Sequence, residues 1–196
     1  GNFNSETGLP LSVFKIRKEH EVGVFEMGMN RQDEIGEISK VLKPEYAIIT
    51  NIGSAHIGML GSRDNIAIEK KKSFTYVSKT GAVFIPAEDE YCNFLQKDVL
   101  GKVVLFGENV PSEISHVKYL KDCGLDGSVF CLDGIQINLK IPGIYNYRNA
   151  LASIALAKEL DLTAEEIKAG IENLSGLNSR MEATELILKG DREVNL

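Results

Sequence analysis

The strongest constraint on this chain is an alternation of short apolar runs with helical periods. Val22-Gly-Val-Phe-Glu-Met-Gly28 and Tyr46-Ala-Ile-Ile-Thr-Asn-Ile52 are nearly continuous apolar stretches. Between them Ile35, Ile38, Val41 and Leu42 recur at helical spacing, and Pro44 halts the pattern. Strands that are apolar on both faces are those that helices cover from two sides, as in a parallel sheet. The pattern predicts strands over 21–28, 46–52 and 81–85. Helices are predicted over 31–42 and after Ser62, whose hydroxyl is suited to an N-cap. The expected class is α/β, a mostly parallel sheet flanked by helices.

The pattern then changes. Short strand candidates at 103–106, 115–120, 128–132 and 135–141 are separated by Gly and Asp turns, which predicts an antiparallel extension of the main sheet. A helix is expected over about 146–160. A second follows, opened by a Thr163/Glu166 capping box, with Ile167, Ile171 and Leu174 as its inward stripe and Gly176 at its end. Residues 180–196 begin strand-like again.

Composition narrows the partners. The net charge is −6 and no basic stripe interleaves with aromatics, so no nucleic-acid footprint is expected. No apolar run approaches the roughly 18 to 20 residues that cross a bilayer, and membrane insertion is not expected. Cys92, Cys123 and Cys131 show neither CxxC spacing nor an even count, which reads as reduced thiols in a cytoplasmic protein.

Three side chains stand out chemically. Glu26 closes the first apolar run and His56 follows the second, where open α/β sheets gather ligands. Lys70 shares a helical face with Ile66, Phe74 and Val77, while Lys71 and Lys72 point elsewhere, towards solvent. A lysine in an apolar stripe is paired, neutral or chemically changed. Each residue has a plainer reading: Glu26 as a cap or ion-pair partner, His56 as a hydrogen-bonded core imidazole, Lys70 as a snorkelling cation. Together, carboxylate and imidazole suit a cation. A neutral amine at Lys70 can take up carbon dioxide as a carbamate, which would add an anion able to bind magnesium.

Six segments then match one family in order. They are Gly1-Asn-Phe-Asn-Ser-Glu-Thr-Gly-Leu-Pro10, Glu26-Met-Gly-Met-Asn30, Asn51-Ile-Gly-Ser-Ala-His56, Gly61-Ser62 leading to Lys70, and Gly143-Ile-Tyr-Asn-Tyr-Arg-Asn149 with Ser179-Arg-Met-Glu182 beyond it. The chain resembles the Mur ligases, in particular the branch that adds D-alanyl-D-alanine to UDP-N-acetylmuramoyl-tripeptide in peptidoglycan synthesis. The resemblance implies the central ATPase domain, similar to P-loop NTPases, over residues 1–177, and the start of a carboxy-terminal ligase domain over 178–196. It implies ATP and Mg2+ as cofactors, with Glu26, His56 and a carbamylated Lys70 at the metal and phosphates. Tyr145, Asn146 and Asn149 would line the adenine pocket, and Arg180 would lie near the ribose and phosphates. Asn2, Asn4 and Asn30 would face the muramoyl substrate. Asn146 and Asn149 equally suit helix capping.

Departures from the family pattern accompany these matches. Tyr145 stands where a His is usual, Gly58 where a Glu is common, and Pro86-Ala-Glu-Asp89 replaces an Asn-x-Asp turn. No GxxxxGK[ST] loop occurs, so the chain reads as an internal fragment, inactive alone, of a ligase expected to be monomeric. The alternatives are another amide ligase of the superfamily, of folylpolyglutamate or cyanophycin type, and a non-enzymatic nucleotide-binding scaffold.

Overall fold

The computed structural model describes residues 3–108, 110 and 116–174, together with the backbone of 185–188 and 192–195. The chain divides into two compact units, at Phe106/Gly107.

The first unit contains helices α1 (Gly8–Val13), α2 (Glu34–Leu42), α3 (Ile57–Leu60), α4 (Arg63–Lys71) and α5 (Cys92–Leu95) and strands β1 (Tyr46–Ile48), β2 (Ala82–Pro86) and β3 (Lys102–Phe106). The strands run parallel in the order β1-β2-β3, with Ala47 opposite Val83 and Val83 opposite Val103. Every residue of β2 is buried, which explains its uninterrupted apolar sequence. Around it pack Ile49, Ile52, Leu60, Ile66, Ala67, Phe74, Val77 and Leu95. Gly81 is required where β2 begins, because a Cβ there would lie 2.1 Å from the Glu45 carbonyl oxygen.

Three predicted strands come out differently. Residues 21–28 form no strand: Val22 and Val24 are 68% and 89% exposed, and the Gly28 amide bonds instead to the Asn4 carbonyl at 2.7 Å. An apolar run without a ladder partner has no sheet in which to satisfy its backbone groups. The 103–106 candidate belongs to the parallel sheet rather than to an antiparallel extension. The connection before it carries α5, the kind of crossover that parallel neighbours need. The strand expected over 46–52 stops at Ile48, beyond which the Ile52 amide turns to the Asp89 carboxylate at 2.8 Å.

The second unit holds a three-stranded antiparallel sheet of its own: β4 (Val117–Asp122), β5 (Ser128–Leu132) and β6 (Ile135–Leu139). Asp133 and Gly134, at φ 50° and 86°, make the tight turn between β5 and β6. Helix α6 (Ile144–Glu159) buries Tyr147, whose ring centroid lies 4.7 Å from Tyr119 and 5.3 Å from Phe130. Helix α7 (Ala164–Glu172) opens with the expected capping box. It is tied to β6 by Glu172, which accepts from the Asn138 amide at 2.9 Å. Leu174, expected inward, is 48% exposed, two residues past the helix end, and Val41 of α2 is likewise exposed. A hairpin of β7 (Glu185–Leu188) and β8 (Arg192–Asn195) follows. Ser115, Gly176 and Arg180 lie outside the described residues.

Candidate active site

Glu26, His56 and Lys70 line one pocket of about 280 Å3 in the first unit, with Asn4, Met27, Gly28, Met29, Asn30, Ile35 and Ala55. Residues 30 and 14 positions apart in the sequence are brought together by three local arrangements.

Glu26 sits in the irregular segment before α2. Its Oε1 accepts from Asn4 Nδ2 at 3.2 Å, and the Asn4 carbonyl accepts from Gly28, so Asn4 grips this segment at two points. Asn4 is thus engaged with Glu26 itself, in addition to lining the pocket. The Asn30 amide donates to Glu34 Oε2 at 2.6 Å, which fixes the turn into α2.

His56 is the N-cap residue of α3 and has a left-handed backbone, φ 65° and ψ 12°, uncommon for a residue with a Cβ. Its loop is clamped at the root. Ile52 donates its amide to Asp89 Oδ2, and its carbonyl accepts from Arg63 Nη2 at 2.8 Å. Arg63 is itself held by an ion pair with Glu90 and lies over the Tyr91 ring, 5.5 Å from its centroid.

Lys70 rides on α4, whose start is set by the Ser62 hydroxyl accepting from the Asn65 amide at 3.1 Å. Ile66, Phe74 and Val77 are buried as the face pattern requires, and Lys70 is half-buried beside them. Its Nζ donates to the Asn51 carbonyl at 2.7 Å. Burial pushes its amine below the usual lysine range, opposed only in part by the negative charge of Asp89. The expectation that Lys71 and Lys72 lie at solvent is corrected. Both are half-buried and partnered: Lys71 Nζ donates to the Phe94 carbonyl at 2.9 Å, and Lys72 pairs with Asp33 and Glu69. Each stem lies along neighbouring structure that a helical wheel does not show.

A carboxylate and an imidazole beside a lysine of lowered basicity are donors suited to a hard divalent cation if the amine becomes a carbamate. Among the described residues no three His, Cys, Asp or Glu side chains gather as a metal cluster.

In the second unit Tyr145, Asn146 and Asn149 lie on the first turns of α6. Tyr145 is 72% exposed, with the Arg148 guanidinium 6.0 Å from its ring centroid. Asn146 Nδ2 donates to the Pro142 carbonyl at 2.7 Å, so this amide does secure the helix start; Asn149 is exposed. Asn2 and Arg180 lie outside the described residues. The sequence reading missed the roles of Asp89, Arg63 and Glu69, each of which also binds a backbone group at least 11 residues away in the chain.

The profile of the Mur ligase middle domain matches residues 1–157. The chain belongs to the Mur ligase family. Among curated Mur ligases, the UDP-N-acetylmuramoyl-tripeptide–D-alanyl-D-alanine ligase of Treponema pallidum is 45% identical over 177 residues, 89% of this chain and 37% of that protein. The ligase of the same name from Haemophilus influenzae is 30% identical over 92% of this chain and 40% of its own length. A crystal structure of MurF from Acinetobacter baumannii superposes with a TM-score of 0.85 at 29% identity, covering 98% of this chain and 42% of that one. MurF ligase from Thermotoga maritima, in complex with ADP, gives 0.74 at 25% identity over 94% of this chain and 43% of that one. The chain thus spans about two fifths of the length of the Mur ligases it matches.

Proposed function

We propose that the protein to which this chain belongs is an ATP-dependent ligase that adds D-alanyl-D-alanine to UDP-N-acetylmuramoyl-tripeptide. The observation that carries this reading is the likeness to ligases of that name across nearly the whole chain. In the proposed reaction a carboxylate oxygen at the tripeptide's end attacks the γ-phosphorus of ATP, the bond from that phosphorus to the bridging oxygen breaks, and ADP leaves an acyl phosphate behind. The amine of D-alanyl-D-alanine then attacks the acyl carbon, the C–O bond to phosphate breaks, and the amine proton is lost. No Ser, Cys or His nucleophile is needed, because such transfers rest on positioning and charge neutralisation.

Within this reading Glu26 offers a carboxylate oxygen and His56 a ring nitrogen to a magnesium ion, which when bound supplies charge neutralisation at the phosphoryl oxygens. Lys70 completes the set by adding its neutral amine to carbon dioxide with loss of one proton. Its burial favours that neutral form. Asn4 orients Glu26, and Asn30 and Asn2 face the muramoyl substrate. Tyr145, Asn146 and Asn149 contact adenine, and Arg180 the ribose and phosphates. We assign residues 1–177 to the ATP-binding domain and 178–196 to the start of the next, a boundary supported by the end of α7 at Glu172.

The test is the purified full-length protein with UDP-N-acetylmuramoyl-tripeptide, ATP and magnesium. Phosphate release should require D-alanyl-D-alanine and yield the pentapeptide product. Release that responds instead to glutamate and a folate, or to no amine at all, would sink the assignment.

A further inference from the structure

One carboxylate beside this pocket is hidden in the sequence just before three lysines. Glu69 belongs to α4 and is 1% exposed, yet it reaches the start of α2. Its Oε2 accepts from the Asp33 amide and its Oε1 from the Ile35 amide, both at 2.9 Å, and Lys72 Nζ adds a bond at 2.6 Å. A helix start leaves its first amides without intrahelical partners. In α2 the N-cap residue Asp33 has a left-handed backbone and makes no side-chain cap. The cap comes from another helix.

We infer that Glu69 is a positioning residue for the Glu26/His56/Lys70 pocket. It fixes the turn between Asn30 and Ile35 against α4, and so sets how the Met27–Asn30 wall faces Lys70. The connection is short. Ile35 lines the pocket and is itself one of the two amide donors, while Lys70 is the next residue after Glu69. Glu34, in the same first turn, holds the amides of Asn30 and Arg31, so the carboxylates of Glu69 and Glu34 together fix the stretch from Asn30 to Ile35. A cap made within α2 would fix the turn but would leave α4 free to shift; one made from α4 fixes both. The inference rests on the function proposed above and adds to it a residue that touches neither substrate nor metal.

Glu69→Gln keeps the volume but replaces one acceptor by an NH2 group, which faces an amide donor. The experiment uses the full-length protein. Hydrogen exchange is followed at Asp33 and Ile35, and the magnesium dependence of kcat is measured beside KM for D-alanyl-D-alanine. Exchange at both amides should quicken, and half-maximal activity should need about 10- to 100-fold more magnesium, as is usual when a residue behind a metal site is lost. KM for D-alanyl-D-alanine should hold. Lys72→Ala, which leaves both amide bonds in place, should lower stability without moving the magnesium dependence.

Unchanged exchange at Asp33 and Ile35 overturns the inference. So does an activity loss that tracks only the folded fraction, or an equal magnesium shift in Lys72→Ala. Should Glu69→Gln fail to fold, Glu69→Asp is read instead. It keeps the charge against Lys72 while withdrawing the oxygens from the amides, and the same magnesium shift is expected. A wild type that forms no pentapeptide rejects the functional reading and the catalytic half of this one, whatever the exchange shows.

Discussion

Three consecutive lysines meet three different environments, and alanine at each should separate them. Lys70→Ala should abolish ligation by the full-length protein, with partial rescue by a short carboxylic acid that returns an anion to the pocket; the assay is phosphate release with and without the acid. Lys71 lies 4.6 Å from the centroid of the Phe94 ring, and its loss should cost about 0.5 to 1 kcal/mol of stability with activity per folded molecule intact. Lys72→Ala leaves the buried Glu69 carboxylate with two amides and no cation, at a cost on the order of 1 to 3 kcal/mol in chemical denaturation. Equal activity in all three variants would end the modified-lysine reading. Helical spacing alone made Lys70 stand out, because Ile66, Phe74 and Val77 report one face. The same spacing could not show that Lys71 and Lys72 are held, since Phe94 and Asp33 belong to other elements. Glu69 was illegible for a related reason: followed by three lysines it reads as a solvated charge, while its partners include backbone amides at Asp33 and Ile35.

At the scale of elements, local chemistry was readable and pairing was not. The Ser62 cap and the Thr163/Glu166 box depend on residues three positions apart, and both formed as expected. The Glu166 carboxyl is held below its ordinary range, first by the Thr163 amide and then by the Thr163 hydroxyl. A carboxyl depressed in the folded state stabilises above its unfolded pKa, and that contribution fades as pH falls through the folded value. The urea midpoint should therefore drop on acidification by more in the wild type than in Glu166→Gln, and a parallel fall in both would remove the box from the account. Thr163→Ala should cost about 0.5 to 2 kcal/mol at neutral pH. Residues 21–28 failed as a predicted strand because an apolar run records a preference for burial but not the presence of a neighbour. Val22 and Val24 face solvent for want of a ladder. The parallel setting of β3 was equally hidden, since it depends on the crossover through α5 rather than on the strand's own residues.

At the scale of the whole chain, the question is what these 196 residues bind unaided. The charge and positioning for a triphosphate come chiefly from a loop of the GxxxxGK[ST] kind, whose backbone amides and lysine cradle the phosphates, and the sequence contains none. The adenine site proposed above consists of the exposed ring of Tyr145 with the amides of Asn146 and Asn149, and the Asn146 Nδ2 is already committed to the Pro142 carbonyl. Stacking of one base on one aromatic ring contributes about 1 to 3 kcal/mol. Even a millimolar dissociation constant requires about 4 kcal/mol. The chain alone should therefore give no saturable heat with Mg-ATP at micromolar concentrations. Calorimetric titration decides it, with Tyr145→Ala as the control that should change nothing measurable. Tight binding that survives Tyr145→Ala would mean that the nucleotide is held by residues other than those at the start of α6. Tight binding lost in Tyr145→Ala would place adenine correctly but show that phosphate contacts exist in this chain without the glycine-rich loop.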